Sequence, residues 1–147
     1  MTSYAKNKKA YHDYEILETF EAGIVLNGDE VKSIKAGHSN LKGAFVDTLN
    51  DEAFVNEAHV SQYPNSSRQV HEPTRRRKLL LSKKEIFKID EAINQAGVTA
   101  IPLEMYAKQG LIKVKVGICR GKKLHDKRET LKQRAQELDI KRSLKNF

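Results

Sequence analysis

Residues 111–118 alternate strictly, with Ile112, Val114, Val116 and Ile118 on one side and Lys113 and Lys115 on the other. Successive side chains of an extended chain point to opposite faces, so this pattern commits the stretch to a strand buried on one face and wet on the other. All four buried-side residues are β-branched, which suits a pleated surface. A strand wet on one face belongs to an antiparallel sheet, because parallel sheets are covered on both faces. The chain therefore has to supply antiparallel partners for it.

Several stretches qualify. Residues 98–106 place Ile101, Leu103 and Met105 inward and Pro102, Glu104 and Tyr106 outward, and Pro102 predicts an edge or strand-start position. Residues 14–26 are rich in β-formers, with Gly23 predicting a bulge or bend between two strand pieces. Residues 41–49 and 53–60 flank Asn50-Asp51, a hairpin turn signal. Lys108-Gln109-Gly110 turns the chain into the alternating strand. Residues 3–9, polar and basic, read as a solvated arm.

Two helices interrupt the strands. In residues 82–96, Ser82 and Glu85 form a capping box, Leu81 and Ile86 a hydrophobic staple, and Ile86, Ile89, Ile93 and Ala96 a buried stripe that Gly97 ends. Residues 29–36 read as a short helix closed by Gly37, with Val31 and Ile34 on its inner face. Glu30 and Ser33 fall on another face, expected to be exposed, and Asp29 and Glu30 lie in the first turn, where the helix dipole favours negative charge. Residues 61–77 form a long connection ending in the basic run Arg75-Arg76-Arg77-Lys78. The fold class expected is mainly β with inserted helices: a small antiparallel OB-like barrel over residues 1–120, plus a basic C-terminal tail over residues 121–147.

Charge points to the partner. The chain carries a formal +8 with a sequence pI near 9.5. Nine Lys/Arg against four Asp/Glu place +5 of that charge in the last 27 residues. A compact body with a cationic extension suits a polyanion such as nucleic acid. The tail's apolar stripe, Leu131, Ala135 and Leu138, is thin, so a helix there is expected to form on a partner. No apolar run reaches the roughly 20 residues of a membrane span, and the N-terminus lacks a signal segment, so a cytoplasmic protein without a membrane partner is expected. Cys119 is the only cysteine and sits in an apolar strand pattern, which predicts a small buried hydrophobe. Catalytic constellations are missing: no cysteine pair for zinc, no Gly-rich phosphate loop, no nucleophile elbow. Neither a cofactor nor a metal is expected, and the protein reads as a non-enzyme.

Four blocks together carry a resemblance. The first is Asn7-Lys8-Lys9-Ala10, Tyr14-Glu15-Ile16 and Phe20-Glu21-Ala22-Gly23-Ile24-Val25-Leu26. The second is Gly28-Asp29-Glu30-Val31-Lys32-Ser33 with Asn40-Leu41-Lys42, and the third runs from His71-Glu72-Pro73 through Arg75 and Arg77 to Leu81. The fourth is Gly110, Lys113-Val114-Lys115 and Gly121-Lys122-Lys123 with Asp126-Lys127-Arg128. In this order they resemble the small protein B family, the SsrA-binding proteins that partner transfer-messenger RNA.

The resemblance implies an RNA-binding adaptor for trans-translation. It would bind the tRNA-like domain of transfer-messenger RNA and deliver it to stalled ribosomes, where the tail would occupy the decoding centre and the empty messenger channel. By the same resemblance the RNA-facing residues fall on Asn7, Lys8, Lys9, Glu30, His71, Arg75 and Lys113. The ribosome-facing tail positions fall on Gly121, Lys122, Lys123, His125, Asp126, Lys127 and Arg128. Glu30 would then be an exposed carboxylate accepting hydrogen bonds from RNA bases. Two other classes remain open on sequence alone. One is a constitutive ribosomal or messenger-binding barrel protein. The other is an RNase, which needs divalent-metal or histidine chemistry, with His71-Glu72 in the basic loop as the candidate acid/base pair.

Overall fold

The computed structural model describes residues 2–62 and 72–122. In chain order the elements are β1 (Ser3–Lys6), α1 (Lys8–Asp13), β2 (Tyr14–Ile24), α2 (Gly28–Lys35), β3 (Ser39–Asn40), β4 (Phe45–Leu49), β5 (Glu52–Asn56), β6 (His59–Val60), β7 (Arg77–Leu80), α3 (Lys83–Ile93), β8 (Val98–Lys108) and β9 (Leu111–Gly121). Every pairing is antiparallel. The order β1-β8-β4-β5-β7-β2-β9, with β9 pairing back to β8, closes six strands into a barrel and leaves β1 outside on β8. The mainly-β, OB-like barrel expected from the alternation is therefore present, with small β3 and β6 paired beside it.

Turn chemistry sets the hairpins. Asn50 and Asp51 both take positive φ between β4 and β5, and Gln109 and Gly110 do so between β8 and β9. Two successive left-handed residues match the twist of the strands they join. Ser82 and Glu85 complete the capping box of α3, and Ile86 and Ile89 are its buried residues, as the periodicity predicts. The barrel interior is filled by Ile112, Val114, Val116 and Ile118 of β9, with Phe20, Ala22, Val46, Val55, Leu79 and Met105 among their neighbours.

Three expectations are corrected. The arm at residues 3–9 is structured: β1 pairs with β8, and Asn7 caps α1. Strand β2 is continuous through Gly23; its register shift falls between Ile16 and Glu18. Strand β8 is not an edge strand wet on one face, since it pairs with β1, β4 and β9, and Pro102 and Tyr106 are buried with their neighbours. The inward and outward assignments also change. Ile101 and Leu103, expected inward with Met105, lie in a second core on the outer wall, where α1 lays Ala10 over them and Cys119, with Tyr11, Tyr14 and Ile16 around them. Pro102, expected outward, stands opposite Val116 of the barrel core. Pro102 is tolerated there because the register shift between Pro102 and Glu104 in the β8–β9 pairing frees the chain from regular bonding. Cys119 is a buried hydrophobe of this second core, and burial pushes its thiol up to about 11.

Candidate nucleic-acid interface

Glu30 is turned inward at the start of α2. Asn27 caps α2, and its side chain accepts the Glu30 N–H at 2.9 Å while Glu30 Oε1 accepts the Asn27 N–H at 3.0 Å. This reciprocal box aims the carboxylate back along the helix start. There it meets the basic run. Arg75 donates from Nε to Oε2 at 2.8 Å and from Nη2 to Oε1 at 2.6 Å, a bidentate pair. Arg77 donates from Nε at 2.9 Å and approaches Oε2 with Nη2 at 2.8 Å. A carboxylate offers about four acceptor positions, so five N–H contacts leave Glu30 none to spare. It is fully buried, as is Ser33, whose hydroxyl donates to the Ser61 carbonyl. The expectation that Glu30 and Ser33 lie exposed is thus overturned, and with it Glu30 as a carboxylate open to RNA bases.

Arg77 completes the cluster. Its other N–H groups go to the carbonyls of Ala58 at 2.9 Å, Arg75 at 3.1 Å and Pro73 at 3.1 Å. All five donors are satisfied, which is what allows a guanidinium to be fully buried. Burial alone would push the Glu30 carboxyl up. The hydrogen bonds from Arg75, the Asn27 amide and Arg77 outweigh it and hold the group down at about 2. The pair Glu30–Arg75 likewise raises Arg75. Two cations around one anion leave the cluster with a net positive charge, presented through Arg75, whose side chain is 33% exposed.

Arg75 Nη2 also reaches the Val25 carbonyl at 3.4 Å, just past the end of β2. Lys113 pairs with Gly23, two residues back along the same strand. Glu30, Arg75 and Lys113 therefore gather at one end of β2. Asn7, Lys8 and Lys9 belong to α1 on the outer wall. Asn7 is buried: its Oδ1 accepts the Ala10 N–H, and its Nδ2 donates to the carbonyls of Leu41 and Pro102. Its side chain joins α1 to the barrel. Lys8 is exposed, and Lys9 pairs with Asp13 at 2.9 Å. That bond and the one to His12 lower Asp13 to about 2.

The root of the tail lies at the other end of β2. Gly121 pairs with Tyr14, the Lys122 N–H donates to the Asp13 carbonyl at 2.9 Å, and Lys122 Nζ donates to the Tyr11 carbonyl at 3.3 Å. The lysine thus caps the C-terminal end of α1, where cations are favoured. At about 3.3 Å per residue, the strand path from Tyr14 to Val25 is up to about 36 Å. His71, Lys123, His125, Asp126, Lys127 and Arg128, and the helix expected in the tail, lie outside the described residues. Sequence reasoning missed Arg77 as part of the site and Lys6, which faces Glu104 across β1 and β8. The alternation Arg77-Lys78-Leu79, which puts Arg77 on the same inner face as Leu79, was the available signal for Arg77.

Among the described residues, no group of three or more His, Cys, Asp or Glu side chains is placed to hold a metal ion, and no helix is long and apolar enough to cross a membrane. Residues 4–146 match the family model described as SmpB protein. An SsrA-binding protein of Ligilactobacillus salivarius is 49% identical over 97% of this chain and 92% of its own length. One of Shouchella clausii is 51% identical over 96% of this chain and 90% of its own. A solved structure described as "tmRNA-SmpB: a journey to the center of the bacterial ribosome" superposes with a TM-score of 0.69 at 42% identity, covering 80% of this chain and 82% of the other.

Proposed function

We propose, from the premise that this chain belongs to the SmpB protein family, that it is a cytoplasmic, non-enzymatic RNA-binding adaptor of trans-translation. Its body binds the tRNA-like domain of transfer-messenger RNA, and its basic tail enters the decoding centre and empty messenger channel of a stalled ribosome. The observation that carries this reading is the separation of two cationic features along β2. Arg75 and Lys113 stand at the Val25 end, and the tail leaves at the Tyr14 end, held by Lys122. One chain can then touch two RNA surfaces at once.

In this reading Arg75, Lys113, Lys8, Lys9 and His71 contact the RNA, the lysines and Arg75 through its phosphates. Glu30 and Asn7 act from inside: Glu30 holds Arg75 in one orientation, and Asn7 fixes α1. Gly121 to Arg128 form the ribosome-facing start of the tail.

A gel-shift titration with the tRNA-like fragment, against an ordinary tRNA competitor, tests the body's role. The expected result is binding that an equal amount of ordinary tRNA does not displace, with affinity falling as salt rises, roughly 0.7–0.9 in log–log slope per phosphate contacted. Equal displacement by any tRNA would favour a general RNA-binding barrel protein instead.

A further inference from the structure

The outer wall of the barrel that α1 leaves open carries a row of charges across four strands. Lys6 of β1 faces Glu104 of β8, Glu104 faces Lys115 of β9, and Lys115 faces Glu21 of β2. Beside the row is a depression lined by Thr19, Glu21, Glu104, Tyr106 and Lys115. Its two carboxylates differ. Glu21 is committed: it accepts the Tyr106 hydroxyl at 2.7 Å and Lys108 Nζ at 3.2 Å, bonds that lower its pKa. Glu104 is half-buried and, among the described residues, its carboxylate accepts no hydrogen bond and forms no ion pair, although lysines stand opposite it on both neighbouring strands. Tyr106 floors the depression, its ring nearly buried and its hydroxyl fixed by Glu21.

We infer that this depression is a base-reading site, in which Glu104 accepts hydrogen bonds from the amino and imino hydrogens of an unpaired nucleobase while Lys6 and Lys115 hold the phosphates on either side. The inference rests on the reading of the body as an RNA binder and names a specificity determinant within it. A lysine cannot tell one base from another, because it meets phosphates. A carboxylate can, because only some base edges donate. Glu104 is an open carboxylate with Lys115 opposite it on β9 and Lys6, whose ammonium lies 5.4 Å from the centre of the Tyr11 ring, opposite it on β1, and it is next to Lys113 through Tyr106. Sequence alternation placed Glu104 on the outer side of β8 but gave no reason to single it out.

The sign of the effect separates this from a surface charge ladder. A carboxylate that merely sits near RNA repels phosphate, so neutralising it tightens binding. A carboxylate that reads a base loses affinity when neutralised. The experiment measures Glu104→Gln and Glu104→Ala against the unaltered chain, with the tRNA-like fragment as probe across a salt series, and thermal unfolding to verify the fold. The expected result is affinity weaker by about five-fold or more in both variants, the range for loss of one specific base contact, with the salt slope unchanged. Unchanged or tighter binding by a folded Glu104→Gln overturns the inference while leaving the RNA-binding reading in place. Failure of the unaltered chain to bind the fragment overturns that reading, and this one with it.

Discussion

Replacing Glu30 by Gln removes the one negative charge between two guanidinium groups while keeping the side chain's size. Arg77 is then left fully buried with its Nε and Nη2 facing a neutral amide, one end of which is itself a donor. Breaking a buried ion pair from one side costs about 3–5 kcal/mol. The titration of Glu30 gives a second route to the same quantity. Its carboxyl sits at about 2 against an ordinary 4.5, which corresponds to roughly 2–3 kcal/mol once solvent screening on the open side of Arg75 is allowed for. Because the folded value is the lower one, this stability is fully present above pH 4.5 and is lost as the pH falls toward 2. The two routes agree to within a couple of kcal/mol, a large share of the roughly 5–15 kcal/mol that holds a domain folded.

Thermal unfolding by circular dichroism at pH 7 is the assay, with the midpoint expected to fall on the order of 10 °C. A pH series from 7 to 2 should show the original protein losing part of its stability below pH 4.5 and the variant losing less. A variant within about 1 kcal/mol of the original, or an acid limb of unchanged steepness, would refute the claim that Glu30 is a buried structural anion.

Three further outcomes are expected. A Cβ at Gly117 would lie 2.5 Å from Leu103 Cδ1, so Gly117→Ala should destabilise by about 1–3 kcal/mol through overpacking of the second core, read as a lower midpoint in urea. Cys119 is fully buried with its thiol pushed up to about 11, so a thiol reagent at pH 7 should label the chain only in denaturant, and rapid labelling of the native protein would contradict the packing under α1. Lys113→Ala should lower the salt slope of binding to the tRNA-like fragment by about 0.7–0.9, and an unchanged slope would remove Lys113 from the phosphate-contacting set.

Much of the barrel is legible in the chain because its signals are local. The alternation from Ile112 to Ile118, the Asn50-Asp51 turn and the Ser82–Glu85 box each need only a few neighbouring residues to be read. What is not legible depends on distant residues. Ile101 and Leu103 read as facing the barrel interior because nothing near them announces that α1, far earlier in the chain, packs against them on the outer wall. Glu30 reads as exposed by helical spacing, yet Arg75 and Arg77 lie 45 and 47 positions away. The Asn27-to-Glu30 spacing did hold a hint, since a capping box turns the third residue's side chain back toward the helix start. Asn7 shows the same limit, because its partners Leu41 and Pro102 come from two distant segments.

The account stands on one chain serving two RNA surfaces from opposite ends of β2. A chain ending at Lys122 keeps every described element and the bonds that Lys122 makes to α1. Its dissociation constant for the tRNA-like fragment, measured beside its ability to support peptide tagging on stalled ribosomes, tests that arrangement most directly. The account predicts fragment affinity within about three-fold of the full chain, little more than 0.6 kcal/mol, and tagging abolished. Tagging that persists without residues 123–147, or fragment binding that disappears with them, would contradict it.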